Sequence, residues 1–194
     1  MNKKLFLFSA IFMLFLSGCG PSKEKTIKNI ATLEKQLYSG QSMNFNRTKA
    51  DSLLILYEKY VKLYPKDTLA PKYLFHAAGL AMTLGDGMKS LNLYEEFMKD
   101  FPDNRKAPVC LFFKAYIYEN LIADFTKAKE TYLLFIEKYP DNEFVKDALA
   151  ALMNIGKTPD QLVREFEEKK KAESLRIADS LAAAKGKNAK KGKK

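Results

Sequence analysis

Apolar residues along most of this chain recur at intervals of three and four, and turns interrupt that rhythm at regular distances. Between Lys72 and Leu84, the residues Leu74, Ala77, Ala78 and Ala81 form one stripe at helical spacing. Leu84-Gly85-Asp86-Gly87 breaks the pattern, and Lys89 to Phe101 resumes it with Tyr94, Phe97 and Phe101 before Pro102. This predicts a helical hairpin in which small residues of the first helix face large rings of the second, so that the two approach closely. Thr68 or Asp67 is the expected cap, and Pro71 the expected first-turn residue. No stretch alternates apolar and polar residues long enough for a strand, so the expected fold class is all-α.

The aromatic frame of that second helix repeats. Tyr57, Tyr60 and Tyr64-Pro65 are followed by Tyr94, Phe97 and Phe101-Pro102, then by Tyr132, Phe135 and Tyr139-Pro140. The internal offsets are identical, and the copies lie 37 and 38 residues apart. A period of this size marks a solenoid of stacked helical hairpins, about three to four here, in which no unit buries its apolar face alone. Ile27, Ile30, Leu33 and Leu37 predict a further helix that pairs, after a loop around Ser39 to Arg47, with Ala50 to Tyr64. Phe144 to Ile155 predicts the first helix of a last unit. Thr158-Pro159-Asp160-Gln161 then combines an N-cap, a first-turn proline and a capping-box glutamine. The helix it opens, over residues 157–184, is expected to be a polar C-terminal capping helix. Leu162, Val163 and Phe166 would cover the last repeat, with Glu165–Lys169 and Glu167–Lys171 as surface pairs.

These repeats, over about residues 26–156, resemble the tetratricopeptide repeat. Counting from Pro71 as position one, Ala78, Ser90, Tyr94 and Pro102 fall on the motif; counting from Val109, so do Ala128, Tyr132 and Pro140, with Ala115 one place before the small position. Phe97 and Phe135 stand where the motif has a small residue, and Tyr116 and Glu119 replace a small and an aromatic one. Those departures resemble the envelope subgroup that includes the outer-membrane assembly lipoprotein BamD and the periplasmic protein YbgF. In that subgroup an aromatic-Pro-Asp turn closes each hairpin, as in Phe101-Pro102-Asp103 and Tyr139-Pro140-Asp141. The resemblance implies a protein-binding stack without chemistry. Its implied partners are envelope proteins, the β-barrel assembly machinery or an envelope-constriction apparatus among them. The first helices would line its concave face. Lys72, Phe75, Gly79 and Met82 share a side distinct from the core stripe, and Cys110, Phe113, Ile117 and Asn120 read as their counterparts. Lys72, Phe75, Met82, Phe113, Ile117 and Asn120 are therefore the candidate groove for a segment of a partner, unless the terminal helix covers it.

Composition changes this picture at the two ends. Lys3 and Lys4 followed by apolar Leu5 to Leu16 read as a signal peptide over residues 1–18, too short to span a bilayer comfortably. Leu16-Ser17-Gly18-Cys19 resembles the lipobox of bacterial lipoproteins. That resemblance implies cleavage before Cys19, a diacylglycerol on its sulfur and an acyl group on its amine, with residues 19–25 as a linker. Gly20 departs from the Asp that marks inner-membrane retention, which implies the outer membrane, facing the periplasm. At the other end, residues 185–194 hold six lysines and no acid, and are expected to be disordered. Of the net charge of +10, Lys3 and Lys4 carry +2 and this tail +6, so the body is nearly neutral. The tail suits a solubilising role or a contact with anionic lipid or another polyanion; nucleic acid is not an expected partner.

Candidate chemistry is sparse. His76 is the single histidine, which excludes a histidine relay or a multi-histidine metal site within the chain. Cys110, among Val109, Leu111, Phe112 and Phe113, reads as a buried structural thiol. Gly85 to Ser90 has the ending of a phosphate loop but lacks its earlier glycine. No cofactor, metal or catalytic activity is expected.

Overall fold

The structure is a computed structural model that describes residues 22–38 and 45–191, with side chains for all of these except 159, 178, 179 and 181–191. The expected signal peptide, Cys19 with its lipid, and residues 192–194 of the tail lie outside the described residues. Those described are helical throughout, with no strand among them. The chain divides into two compact units, Met1–Cys110 and Leu111–Lys194. Unit 1 holds α1 (Lys23–Tyr38), α2 (Arg47–Leu63), α3 (Ala70–Thr83), α4 (Gly87–Asp100) and the start of α5 (Ala107–Ile117). Unit 2 holds the rest of α5, a π-helical turn (Tyr118–Ile122), α6 (Phe125–Lys138), α7 (Val145–Asn154) and α8 (Pro159–Lys191).

Each second helix of a pair begins in the same way. The side chains of Asn46, Asp86 and Asp124 accept from the backbone N–H of Lys49, Lys89 and Lys127 at 2.9, 3.0 and 3.0 Å, satisfying an amide that the helix itself leaves open. Four residues after each cap sits a fully buried small side chain: Ala50, Ser90 and Ala128. Ser90 Oγ donates to the Ala78 carbonyl at 2.8 Å, so its hydroxyl is satisfied where the helices touch. From Ser90 to Phe97, the neighbours on α3 move back from Ala78 to Phe75. The two helices are therefore antiparallel.

The repeated rings form the core. Tyr57, Tyr60, Tyr94, Phe97, Tyr132 and Phe135 are almost wholly buried, and each such ring contributes roughly 1.5–3 kcal/mol through its removal from water. In unit 1, Tyr57 stacks on Tyr73 at 5.4 Å and Tyr60 meets the same ring edge-on at 4.7 Å, which fastens α2 to α3. On the other side of α3, Phe75 meets Tyr94 and Phe97 at 5.9 Å. Ile30 is fully buried on α1 and the Tyr57 hydroxyl donates to Glu34 at 2.7 Å, so α1 and α2 pair as the pattern predicts.

The turn after each aromatic-Pro pair departs from expectation. Asp103 and Asp141 are exposed, and the residue one further on does the work. The amides of Asp67, Asn104 and Asn142 donate to the carbonyls of Tyr64, Phe101 and Tyr139. Their side-chain oxygens accept from the amides of Leu69, Lys106 and Phe144 at 2.9, 3.0 and 3.0 Å. An Asx turn thus launches each following helix. Thr68 is no cap: α3 starts from Leu69, which makes no side-chain capping bond.

At the C-terminal end the capping box forms. Thr158 N–H donates to Gln161 Oε1 at 2.8 Å, and Gln161 N–H to Thr158 Oγ1 at 3.3 Å. Three expectations for α8 fail. Leu162, Val163 and Phe166 are 37%, 56% and 68% exposed, so they cover no repeat. Glu165 pairs with Lys157 at 2.8 Å instead of Lys169. The helix also continues beyond 184 to Lys191, where disorder was expected; lysine and alanine are good helix formers, and charge alone does not end a helix.

Candidate functional site

The first half of the predicted groove lies in unit 1, where α3 and α5 both begin. Lys72 and Phe75 line a hollow of about 330 Å³ there, with Thr68, Pro71 and His76 of the same segment. Phe97 of α4 contributes to its floor, and Asn104, Arg105 and Lys106, just before α5, complete it. Lys106 Nζ lies 5.3 Å from the centre of the Phe75 ring, and Lys72 Nζ 5.7 Å from that of Tyr73. Met82, half-buried further along α3, is not part of this lining.

The charges of the hollow are one-sided. Among the described residues, Lys72, Arg105 and Lys106 form no ion pair. Two nearby acids have other partners. Glu34 accepts from Tyr57 and stands 3.6 Å from His76 Nδ1. Asp67 accepts from Lys23, from the Tyr60 hydroxyl and from the Leu69 amide. Those bonds, Lys23 foremost, hold the Asp67 carboxyl at about 2. Burial, and then the charge of Lys72, hold His76 below its ordinary value despite the opposing pull of Glu34. It is thus a neutral hydrogen-bonding group at neutral pH.

The second half of the predicted groove is mis-registered. Ala70-Pro71 recurs as Ala107-Pro108, an offset of 37, whereas the caps Asp86 and Asp124 lie 38 apart. The additional residue falls between them, and the π-helical turn Tyr118–Ile122 absorbs it. Along α5 the counterpart of Phe75 is therefore Phe112, not Phe113, and Cys110 and Ile117 correspond to Tyr73 and Leu80. A slip of one residue turns a helical position by about 100°. Tyr73, Leu80, Cys110 and Ile117 are all buried, the last two completely. Ile117 and Cys110 are core residues, and burial pushes the Cys110 thiol up to about 12. Asn120 sits in the π turn and donates to the Tyr116 carbonyl at 3.0 Å, so it serves the turn. Glu119 of the same turn accepts from the buried Tyr132 hydroxyl at 2.9 Å, which gives that departure from the repeat pattern a structural role. Phe113 is half-buried, 5.7 Å from Phe112 and 6.2 Å from Phe144.

The matching place of unit 2 is built differently. Glu143-Phe144 occupies the place of Arg105-Lys106 in the turn, and Phe144 stacks on Phe112 at 4.8 Å where Lys106 lies over Phe75. Sequence reading missed Thr68, Pro71, His76, Phe97, Asn104, Arg105 and Lys106 as lining residues. The alignment of Ala70-Pro71 with Ala107-Pro108 was the signal for the register of α5, but it does not mark these lining residues. No group of three or more His, Cys, Asp or Glu side chains able to hold a metal ion occurs among the described residues. No family model and no curated protein matches the chain.

Proposed function

We propose that this chain is a non-catalytic interaction scaffold, held on the bacterial outer membrane by lipid on Cys19 and facing the periplasm. Its helix pairs are read as tetratricopeptide-like hairpins, and the specific role as one in outer-membrane protein assembly. The observation that carries this reading is the open hollow of unit 1, with an aromatic floor and cations that form no ion pair among the described residues. A solvent-facing concavity of that kind suits recognition. Its single histidine stands beside a carboxylate that also accepts from Tyr57. Among the described residues no helix is long and apolar enough to cross a membrane, and the proposed attachment is the lipid.

A second reading makes the protein a tether acting through the lysines of residues 185–194. It draws on α8, which carries the backbone as helix to Lys191 and whose side chains are exposed almost throughout over 160–177. A YbgF-like accessory role in envelope constriction is a variant of the scaffold reading. Crosslinking of the lipidated protein in cells, with mass spectrometry of its partners, separates these readings. Crosslinks from peptides around Phe75 and Lys106 to β-barrel assembly components are expected. Capture of lipopolysaccharide or glycan by the tail alone, with no protein partner, would favour the tether. Tail binding should also weaken steeply with salt, as contacts between exposed charges do.

A further inference from the structure

We infer that the hollow of unit 1 is a binding site for an acidic polypeptide segment. Lys72, Arg105 and Lys106 take its carboxylate, and Phe75 and Phe97 take a neighbouring apolar side chain. The inference rests on the scaffold reading and gives the partner its chemistry.

Three observations carry it. First, cations from two separate segments converge on one concavity, and no carboxylate lines it among the described residues. Like charges gathered without a counter-ion oppose folding, and a concavity of one sign concentrates ligands of the other. Glu34 and Asp67, two acids beside it, are committed elsewhere. Second, the repeat frame does not force this arrangement. At the matching place of unit 2 the turn carries Glu143, and the Phe144 ring fills the space over Phe112. The opening and its charge therefore belong to the residues of this one site. Third, the lining is mixed. Phe75, Phe97 and Pro71 offer apolar surface, while Asn104, whose Oδ1 accepts from Lys106 N–H, keeps its NH₂ group as a donor. At about 330 Å³ the hollow is at the small end of ligand pockets. A short stretch of extended chain fits that volume and that mixture, whereas a free oxyanion would leave the aromatic floor unused. The positive ends of α3 and α5 add to the attraction.

The test is fluorescence anisotropy with the full-length protein in detergent. The probe is a labelled, amidated peptide in which aspartate alternates with phenylalanine and leucine. Its controls are the same peptide with asparagine for aspartate, and that asparagine peptide as a free acid. The acidic peptide should bind about tenfold more tightly than its amidated asparagine form, as charge-assisted hydrogen bonds imply. A gain restored by the free acid assigns the site to a chain terminus, and no gain assigns it to acidic side chains; both support the inference. The double variant Arg105→Gln/Lys106→Gln, checked for intact helix by circular dichroism, should lose about tenfold. A variant with the six tail lysines changed to Gln should bind normally. Equal affinity for the acidic and asparagine peptides, or loss only in the tail variant, would overturn the assignment. So would binding confined to phosphatidylglycerol vesicles or to inorganic phosphate. If cells yield envelope-protein crosslinks that the double variant leaves unchanged, the scaffold stands and this site falls. Peptide binding without any protein crosslink in cells would instead count against the scaffold.

Discussion

Phe75 in unit 1 and Phe112 in unit 2 occupy the same place in the same repeat, yet their surroundings differ. Phe75 is half-buried, has Lys106 over its ring and lines a charged hollow. Phe112 is 7% exposed and meets four rings, those of Phe113, Tyr132, Phe135 and Phe144. The difference comes from two turn residues, Arg105-Lys106 against Glu143-Phe144, on a backbone closed by the same Asx turn. A repeat frame fixes where a residue stands, and a substitution at the junction decides whether that place becomes core or an open hollow.

The largest effect expected from this contrast is on stability. Phe112→Ala empties a closed ring cluster and should cost about 3–5 kcal/mol. Phe75→Ala removes a ring that is already partly solvated and should cost less, about 1–2 kcal/mol. Urea unfolding of the two variants checks the order, and equal losses would mean that the two rings share one environment.

Backbone conformation offers the next contrast. Gly85 and Ala123 both precede the cap of a second helix, and both are left-handed, at φ 81° and 60°. A Cβ on Gly85 would meet nothing within 4 Å, so Gly85→Ala isolates the backbone penalty, about 1–2 kcal/mol. Ala123→Gly should relieve strain and gain up to about 1 kcal/mol, less the entropy cost of glycine. Thermal midpoints that fall for the first and rise for the second are expected.

Lys106→Phe should give unit 1 the stack that Phe144 supplies in unit 2. A gain of about 0.5–1.5 kcal/mol from the aromatic pair, together with loss of acidic-peptide binding, is expected. A stability loss in calorimetry would show that the ring does not settle over Phe75.

The smallest effect concerns the first turn, where Asp67 stands in place of Asn104 and Asn142. Its carboxyl is lowered from 3.8 to about 2, first by the hydrogen bond from Lys23. A depressed carboxylate stabilises the fold fully above its ordinary value, and that contribution disappears as pH falls through the folded value. The thermal midpoint of the wild type should therefore drop between about pH 4 and pH 2 more than that of Asp67→Asn, which keeps the Asx turn. Parallel curves would remove Asp67 from the acid response.

The sequence by itself determined the helical class, the three aromatic frames, the small residues opposite them and the capping box at Thr158. All of these are local or periodic: a ring every 37 or 38 residues and a proline after it constrain the backbone wherever they stand. It also suggested the groove through Lys72 and Phe75, but carried it onto Ile117 and Asn120, because a one-residue insertion in the π turn after α5 is invisible to a count that spans it. Tertiary structure decided where that residue was absorbed, and hence which α5 side chains turned inward. It alone brought Asn104, Arg105 and Lys106 beside Phe75 and His76, from positions about 30 residues apart in the chain. Whether a lysine or a phenylalanine closes over a ring depends on neighbours that meet only after the helices pack, and periodicity holds no record of them.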